Sequence, residues 1–214
     1  MAVGKEERDR KLTKAEERRL RRFERMSADL EAQGYRRREL TIGVVRANVV
    51  TLALGLPLCL LGFVIFLVVN KGRDMTLGLS IDFLPLIALL LVLTVVHELI
   101  HGITWSFFAE HGWADIEFGL IVMYLTPYCT AKSPLPQGGY ILGGLMPMVL
   151  LGIVPTVWAI ATADFGLLLL GLAMTLGGGG DLMIVLMLLL HKSDARERLI
   201  LDHPTQAGSV IFER

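Results

Sequence analysis

Residues 83–108, FLPLIALLLVLTVVHELIHGITWSFF, form one apolar run interrupted by a single ionisable cluster, His97-Glu98-Leu99-Ile100-His101. The run exceeds the roughly 20 apolar residues that carry a helix across a bilayer, so it predicts a membrane-spanning helix. On such a helix His97 and His101, four positions apart, project from one face and can grip one metal ion. Glu98 sits next to them. H-E-x-x-H on a helix is the spacing that sets two zinc ligands beside a carboxylate able to take a proton from an attacking water. The competing reading, histidines merely hydrogen-bonded in a core, is disfavoured at this depth. An ionisable side chain near a bilayer centre costs on the order of 3 kcal/mol unless something compensates it.

The rest of the composition agrees with a membrane setting. Of 214 residues, 53% are hydrophobic and the formal net charge is zero, with a mean hydropathy of +0.57. Neutrality hides a basic end: fourteen of the 21 Lys and Arg lie in residues 1–46, and only three in residues 47–190. The first 40 residues contain no apolar core of a cleavable signal, so the first span is expected to act as its own insertion signal. Cys59 and Cys129 are too scattered for a disulfide framework or a CxxC site and read as packing residues.

Four segments are long enough to span: 45–69, 83–108, 139–161 and 165–190. An even number puts both ends on one side, and the Arg-rich start together with Lys192, Arg196 and Arg198 assigns that side to the cytosol. Residues 5–33 read as a charged helix with i,i+4 pairs such as Glu17 and Arg21, ended by Gly34. Its narrow stripe of Leu20, Phe23, Met26 and Leu30 suits a membrane surface, the catalytic region, another chain, or a solvated helix with one weakly buried side. Tyr35 to Arg38 fit the cytosolic headgroup layer as a topology anchor, not a nucleic-acid patch. Trp105 and Trp158 fit the aromatic belts. Between the second and third spans, residues 118–125 are apolar and extended in pattern. The turn-prone Lys132-Ser133-Pro134-Leu135-Pro136 follows, which predicts a short hairpin or re-entrant loop at the cytosolic face. Pro147, after Gly143 and Gly144, is expected to kink or loosen the third span.

Two histidines leave a catalytic zinc site one protein ligand short. A metzincin extension would need Gly at 104 and His at 107, where the chain has Thr104 and Phe107. Glu110, His111 and Glu117 fall beyond the helix end. Asp181, the one acidic residue of the fourth apolar segment, follows Gly177-Gly178-Gly179-Gly180. Leu99 and Asp181 each lie about nine residues before the cytosolic end of their spans, so at 1.5 Å per residue both sit roughly 13 Å deep. The four glycines would let a neighbouring helix approach or let the helix unwind beside a metal. His203, beyond the last span and before Pro204, is expected in a surface turn, and His191 at the membrane boundary.

HELIH in one span and GGGGD two spans later resemble the site-2-protease type of intramembrane zinc metalloprotease. They resemble more closely a small bacterial family of zincin peptidases once catalogued only as a domain of unknown function. The likeness covers residues 83–214. An HExxH helix, a Gly-Asp pair in a late span and a C-terminal Asp-His-Pro recur in that family, and match His97 to His101, Gly180-Asp181 and Asp202-His203-Pro204. The resemblance implies a membrane-embedded peptidase of bacterial origin. One departure stands: site-2 proteases usually carry an Asn- and Pro-containing stretch leading to Leu-Asp-Gly, and this chain has no Asn after Asn70. Residues that would grip a substrate strand or the oxyanion are therefore unassigned.

The expected fold is an all-α membrane protein of four transmembrane helices with a short extended or re-entrant segment between the second and third. Residues 1–42 would form a cytosolic charged helix and basic anchor, 43–190 the membrane domain and 191–214 a cytosolic tail. The expected protein is multi-pass in the cell membrane, with both termini cytosolic. His97, His101 and Asp181 would hold Zn2+, and Glu98 would act as general base and then protonate the leaving amine. Expected partners are the bilayer and a membrane-associated protein or peptide, whose extended chain could add to the edge of residues 118–130. No nucleic acid is expected. The alternative is a metal-binding membrane protein without catalysis: a transporter, a scaffold or an inactive relative of a protease.

Overall fold

The computed structural model describes residues 13–76, 83–121 and 126–214. Helix α1 (Lys14–Ala32) starts at a capping box: the Thr13 hydroxyl accepts from the Glu16 N–H at 3.3 Å and the Glu16 carboxylate accepts from the Thr13 N–H at 2.8 Å. Gly34, at φ +90°, turns the chain out of it. The charged helix expected from residue 5 is thus described from Lys14 onward, its start lying outside the described residues. Strand β1 (Arg36–Ile42) then leads into α2 (Val44–Val69).

Helix α3 (Phe83–Ser106) carries the HExxH segment. After a short 3-10 turn at Gly112–Asp115, strands β2 (Ile116–Ile121) and β3 (Thr126–Ala131) pair antiparallel, with Phe118 opposite Cys129. The expected hairpin between the second and third spans is this pair. A two-residue strand β4 (Leu135–Pro136) opens into α4 (Gln137–Thr162). Helices α5 (Phe165–Gly177) and α6 (Gly179–Leu190) follow, bent by 45° at their junction. Strands β5 (Arg198–Asp202) and β6 (Ala207–Glu213) end the chain.

Three helices, Val45–Val69, Pro85–Ser106 and Gln137–Thr162, are long and apolar enough to cross a membrane, and the bent α5 and α6 make a fourth if they count as one span. Their outward faces are apolar. Leu60, Val68, Leu91 and Val157 are all exposed, as is Trp158, the surface expected of helices facing lipid. At the α2 end the amide of Asn70 donates to the carbonyls of Phe66 and Ile160, and Arg73 donates to Asn70. Arg73 thereby serves as a helix-end clasp.

The chain is mostly helical but not all-α. Six strands among the described residues correct that expectation, and four of them form an antiparallel sheet in the order β1-β6-β5-β4. The expected tail supplies half of this sheet: β6 pairs along β1 from Arg36 opposite Glu213 to Ile42 opposite Ala207. Val210, Ile211 and Phe212 are completely buried. Phe23, Leu30 and Tyr35 pack on Leu201, Val210 and Phe212, so the stripe of α1 rests on this sheet. α1 also reaches the hairpin, with Arg22 paired to Glu117 at 2.7 Å and Arg19 over the Tyr128 ring.

Candidate metal centre

One turn of helix separates His97 from His101, and both side chains are buried on the α3 face that meets α4 and α6. Asp181 lies in the first turn of α6, where the positive end of the helix dipole favours a carboxylate. The four-glycine run is what brings it there. At Gly178 and Gly179 a Cβ would meet Met148 at 3.0 Å and Thr51 at 2.8 Å, so the missing side chains admit α4 and α2 close to the bend. Both expected uses of the glycines occur together: the helix breaks and its neighbours approach.

Three ligand-type atoms converge. His97 Nε2 lies 3.1 Å from Asp181 Oδ2, His101 Nε2 lies 3.5 Å from the same oxygen, and the two Nε2 atoms are 3.1 Å apart. Ligands bonded to zinc at about 2.0–2.1 Å in a tetrahedron lie about 3.3–3.4 Å from one another, so this triangle has the right size. A hydrogen-bonded core would pair each acceptor with its own donor. Here His101 Nδ1 lies 2.8 Å from the Gly143 carbonyl oxygen, to which its N–H donates. That assignment leaves Nε2 of the neutral ring without a proton and free as a ligand.

The Gly143 carbonyl is available for a reason written in the sequence. In an α-helix it would accept from the N–H of residue 147, and residue 147 is proline. The helix loosens there, as expected, into a π segment at Met148–Ile153. Gly143 itself is needed for the close approach: a Cβ on it would lie 2.2 Å from the Trp105 ring. Trp105 stacks on His101 at 4.9 Å and on Tyr140 at 5.4 Å, and its indole N–H donates to the Tyr140 carbonyl. At 5% exposed it backs the His101 ring; the membrane-belt role expected for it is corrected.

Glu98 lies beside the cluster on α3, the helix that packs along β3, with the backbone of Cys129 near its carboxylate. Among the described strands β3 pairs with β2 alone, so its other edge carries no strand. β3 is held from behind by Asp202, which accepts from the Thr130 hydroxyl at 2.6 Å and from the Tyr140 hydroxyl at 2.5 Å. Burial, with a smaller push from the charge of Asp181, holds the Asp202 carboxyl above its ordinary range, and these two hydrogen bonds only partly offset it. Reasoning from residue types missed Tyr140 and Thr130. Asp202 had a signal in Asp-His-Pro, without a role attached to it.

The other candidate ligands lie elsewhere. His111 bonds Asp115 at 3.2 Å, Glu117 pairs with Arg22, and the backbone N–H of Glu110 donates to Ser133. His203 sits in the β5–β6 turn, where its Nδ1 accepts from the backbone of Gln206 at 3.0 Å. His191 follows α6 and bonds Glu213 at 2.8 Å. Among the described residues, His97, His101 and Asp181 are the group of three placed to hold a metal. Cys59 and Cys129 are both free thiols, and burial raises the Cys129 thiol far above its usual range, which makes it an inert packing group.

A family model described as "Putative zincin peptidase" matches residues 90–196, half of the chain, and the chain belongs to that family. The match takes in all three clustered residues and Glu98. No curated protein and no solved structure matches the chain.

Proposed function

We propose that this member of the zincin peptidase family is a membrane-embedded zinc metallopeptidase of the site-2-protease type, which hydrolyses peptide bonds of membrane-associated proteins near the cytosolic face. The observation that carries the reading is the triangle of His97 Nε2, His101 Nε2 and Asp181 Oδ2 with sides of 3.1–3.5 Å, with Glu98 directly beside it. His97, His101 and Asp181 hold the ion. Zinc bound there supplies a Lewis acid that polarises a carbonyl oxygen and lowers the pKa of a water toward about 7.

The chain's own groups do the rest. Glu98 takes the proton of the attacking water on its carboxylate and then delivers it to the nitrogen of the leaving amine. The Gly143 carbonyl keeps His101 in the tautomer that presents Nε2. The free edge of β3 offers backbone donors and acceptors to an extended substrate, so that a substrate strand lies along Cys129 and within reach of Glu98. Peptide hydrolysis needs an unwound chain, and a strand edge supplies one.

A transporter or scaffold gives no reason for a carboxylate beside the ligands at a depth where it costs free energy. The test is Glu98→Gln in the full chain, measured by cleavage of co-expressed single-span proteins with zinc content determined on the same preparations. Zinc is expected to remain at about one per chain while cleavage disappears, because the amide is nearly isosteric yet cannot accept the proton. Cleavage at the parent rate would remove Glu98 from the mechanism, and loss of zinc or fold would make it structural.

A further inference from the structure

Where the chain leaves α6, the start of β1 and the segment after Leu190 enclose an open cavity of about 710 Å3. Its wall carries Arg36 and Arg38 from β1, and Lys192 and Arg196 from the segment after α6. Arg36 and Arg38 are two apart on one strand, so they share a face at a spacing of about 6.8 Å. All four side chains are exposed, and among the described residues none of the four has an ionic or hydrogen-bonding partner.

Their neighbours are all engaged. Arg37 bonds Glu39. Arg198 bonds Gln137 and Ser193, and Arg214 bonds Glu197. Arg36, Arg38, Lys192 and Arg196 face the cavity without such partners among the described residues. Of the carboxylates in its wall, Glu213 is buried and committed to His191, which leaves Asp194 against four unpaired positive charges. Directly before the lining residues His191 and Lys192 come Leu189 and Leu190 at the end of α6, 59% and 76% exposed. A cationic hollow with an apolar helix end beside it matches an anionic headgroup attached to acyl chains.

We propose that this cavity is a binding site for the phosphate of an anionic membrane phospholipid. Arg36, Arg38, Lys192 and Arg196 surround the phosphate, and the acyl chains run along the exposed end of α6. The Arg forks suit phosphate oxygens, and Lys192 adds a mobile point charge. The site depends on the membrane-spanning reading and not on the metal centre. Because β1 and the C-terminal segment come from opposite ends of the chain, an occupied site also ties them at the membrane surface.

The experiment uses the full chain reconstituted in mixed phosphatidylcholine and phosphatidylglycerol vesicles, re-extracted in neutral detergent at about 0.15 M salt, where distant charges are screened. Retained lipid is quantified by mass spectrometry. Phosphatidylglycerol is expected to be enriched over phosphatidylcholine relative to the input. Lys192→Gln/Arg196→Gln, which leaves every strand untouched, should cut its retention about 25-fold, since each basic group near a membrane surface contributes about fivefold. Arg18→Gln/Arg21→Gln/Arg25→Gln on α1, outside the cavity, should leave it unchanged. An equal loss in that triple variant would reduce the effect to general surface charge and overturn the site. So would displacement of phosphatidylglycerol by millimolar inorganic phosphate, which would assign the cavity to free phosphate. Equal retention of both lipids sinks the headgroup site while leaving the spanning helices standing. Failure to retain any lipid likewise overturns the headgroup site.

Discussion

Gly143→Ala tests the link between the helix crossing and the metal centre. The new Cβ would sit 2.2 Å from the Trp105 ring, and carbon atoms in contact settle at about 3.5–4.0 Å, so the two must part by about 1.3 Å or more. Trp105 cannot swing aside, because its ring is stacked between His101 and Tyr140 and its N–H is bonded to the Tyr140 carbonyl. The backbone of α4 has to give. Adding about 1.3 Å to the 2.8 Å between His101 Nδ1 and the Gly143 oxygen carries the pair past hydrogen-bond range. Loss of such a supporting bond costs about 10- to 100-fold in metal affinity, about 1.4–2.8 kcal/mol. The assay is zinc competition against a chromogenic chelator on the purified full chain in detergent, with far-UV circular dichroism to confirm helix content. Gly138→Ala, where a Cβ meets nothing within 4 Å, is the matched control. If Gly143→Ala binds zinc within about twofold of the parent, the supporting role of this carbonyl is refuted.

Three further outcomes are expected. Asp181→Ala should abolish stoichiometric zinc binding in the same assay, because two imidazoles alone fall short of a three-ligand site; unchanged occupancy would disqualify Asp181 as a ligand. Glu213 is pulled below its ordinary range: burial pushes it up, but hydrogen bonds from Ser193 and His191 outweigh this. Its folded pKa lies under its unfolded one, so its stabilisation is present above about pH 4.5 and is lost as pH falls through the depressed value. Thermal unfolding midpoints of Glu213→Gln should therefore fall less steeply than the parent's between about pH 5 and 3, and parallel curves would contradict the assignment. Reporters fused before Met1 and after Arg214 should both read as cytosolic, since β1 and β6 are paired over seven residues and join the segment before the first apolar helix to the one after the last in one sheet. Opposite readings would dismantle the topology.

The centre was legible in the chain because its parts obey local rules. His97, Glu98 and His101 need only the helical period to share a face. Asp181 could be matched to them because helix rise and membrane thickness set a common depth for residues equally far from their span ends. Pro147 could be read as a loosening of its helix. What the looseness serves could not, because the acceptor it frees on Gly143 meets a donor 42 residues away.

The sheet escaped for a related reason. Strands β5 and β6 are short, and β6 is stabilised largely by pairing with β1 at the other end of the chain, a contact without local signature. Seen alone, residues 191–214 look like a tail. The hold of Asp202 on Thr130 and Tyr140 likewise joins residues 72 and 62 positions apart. Helical period and hydrophobic length are properties of a segment, and they determined the apolar helices, the HExxH face and the candidacy of Asp181. Strand partners, the tautomer of His101 and the placing of β3 beside Glu98 depend on which distant groups meet. Packing alone decided those, because a hydrogen-bonding group is indifferent to sequence distance and answers only to what the fold brings within about 3 Å.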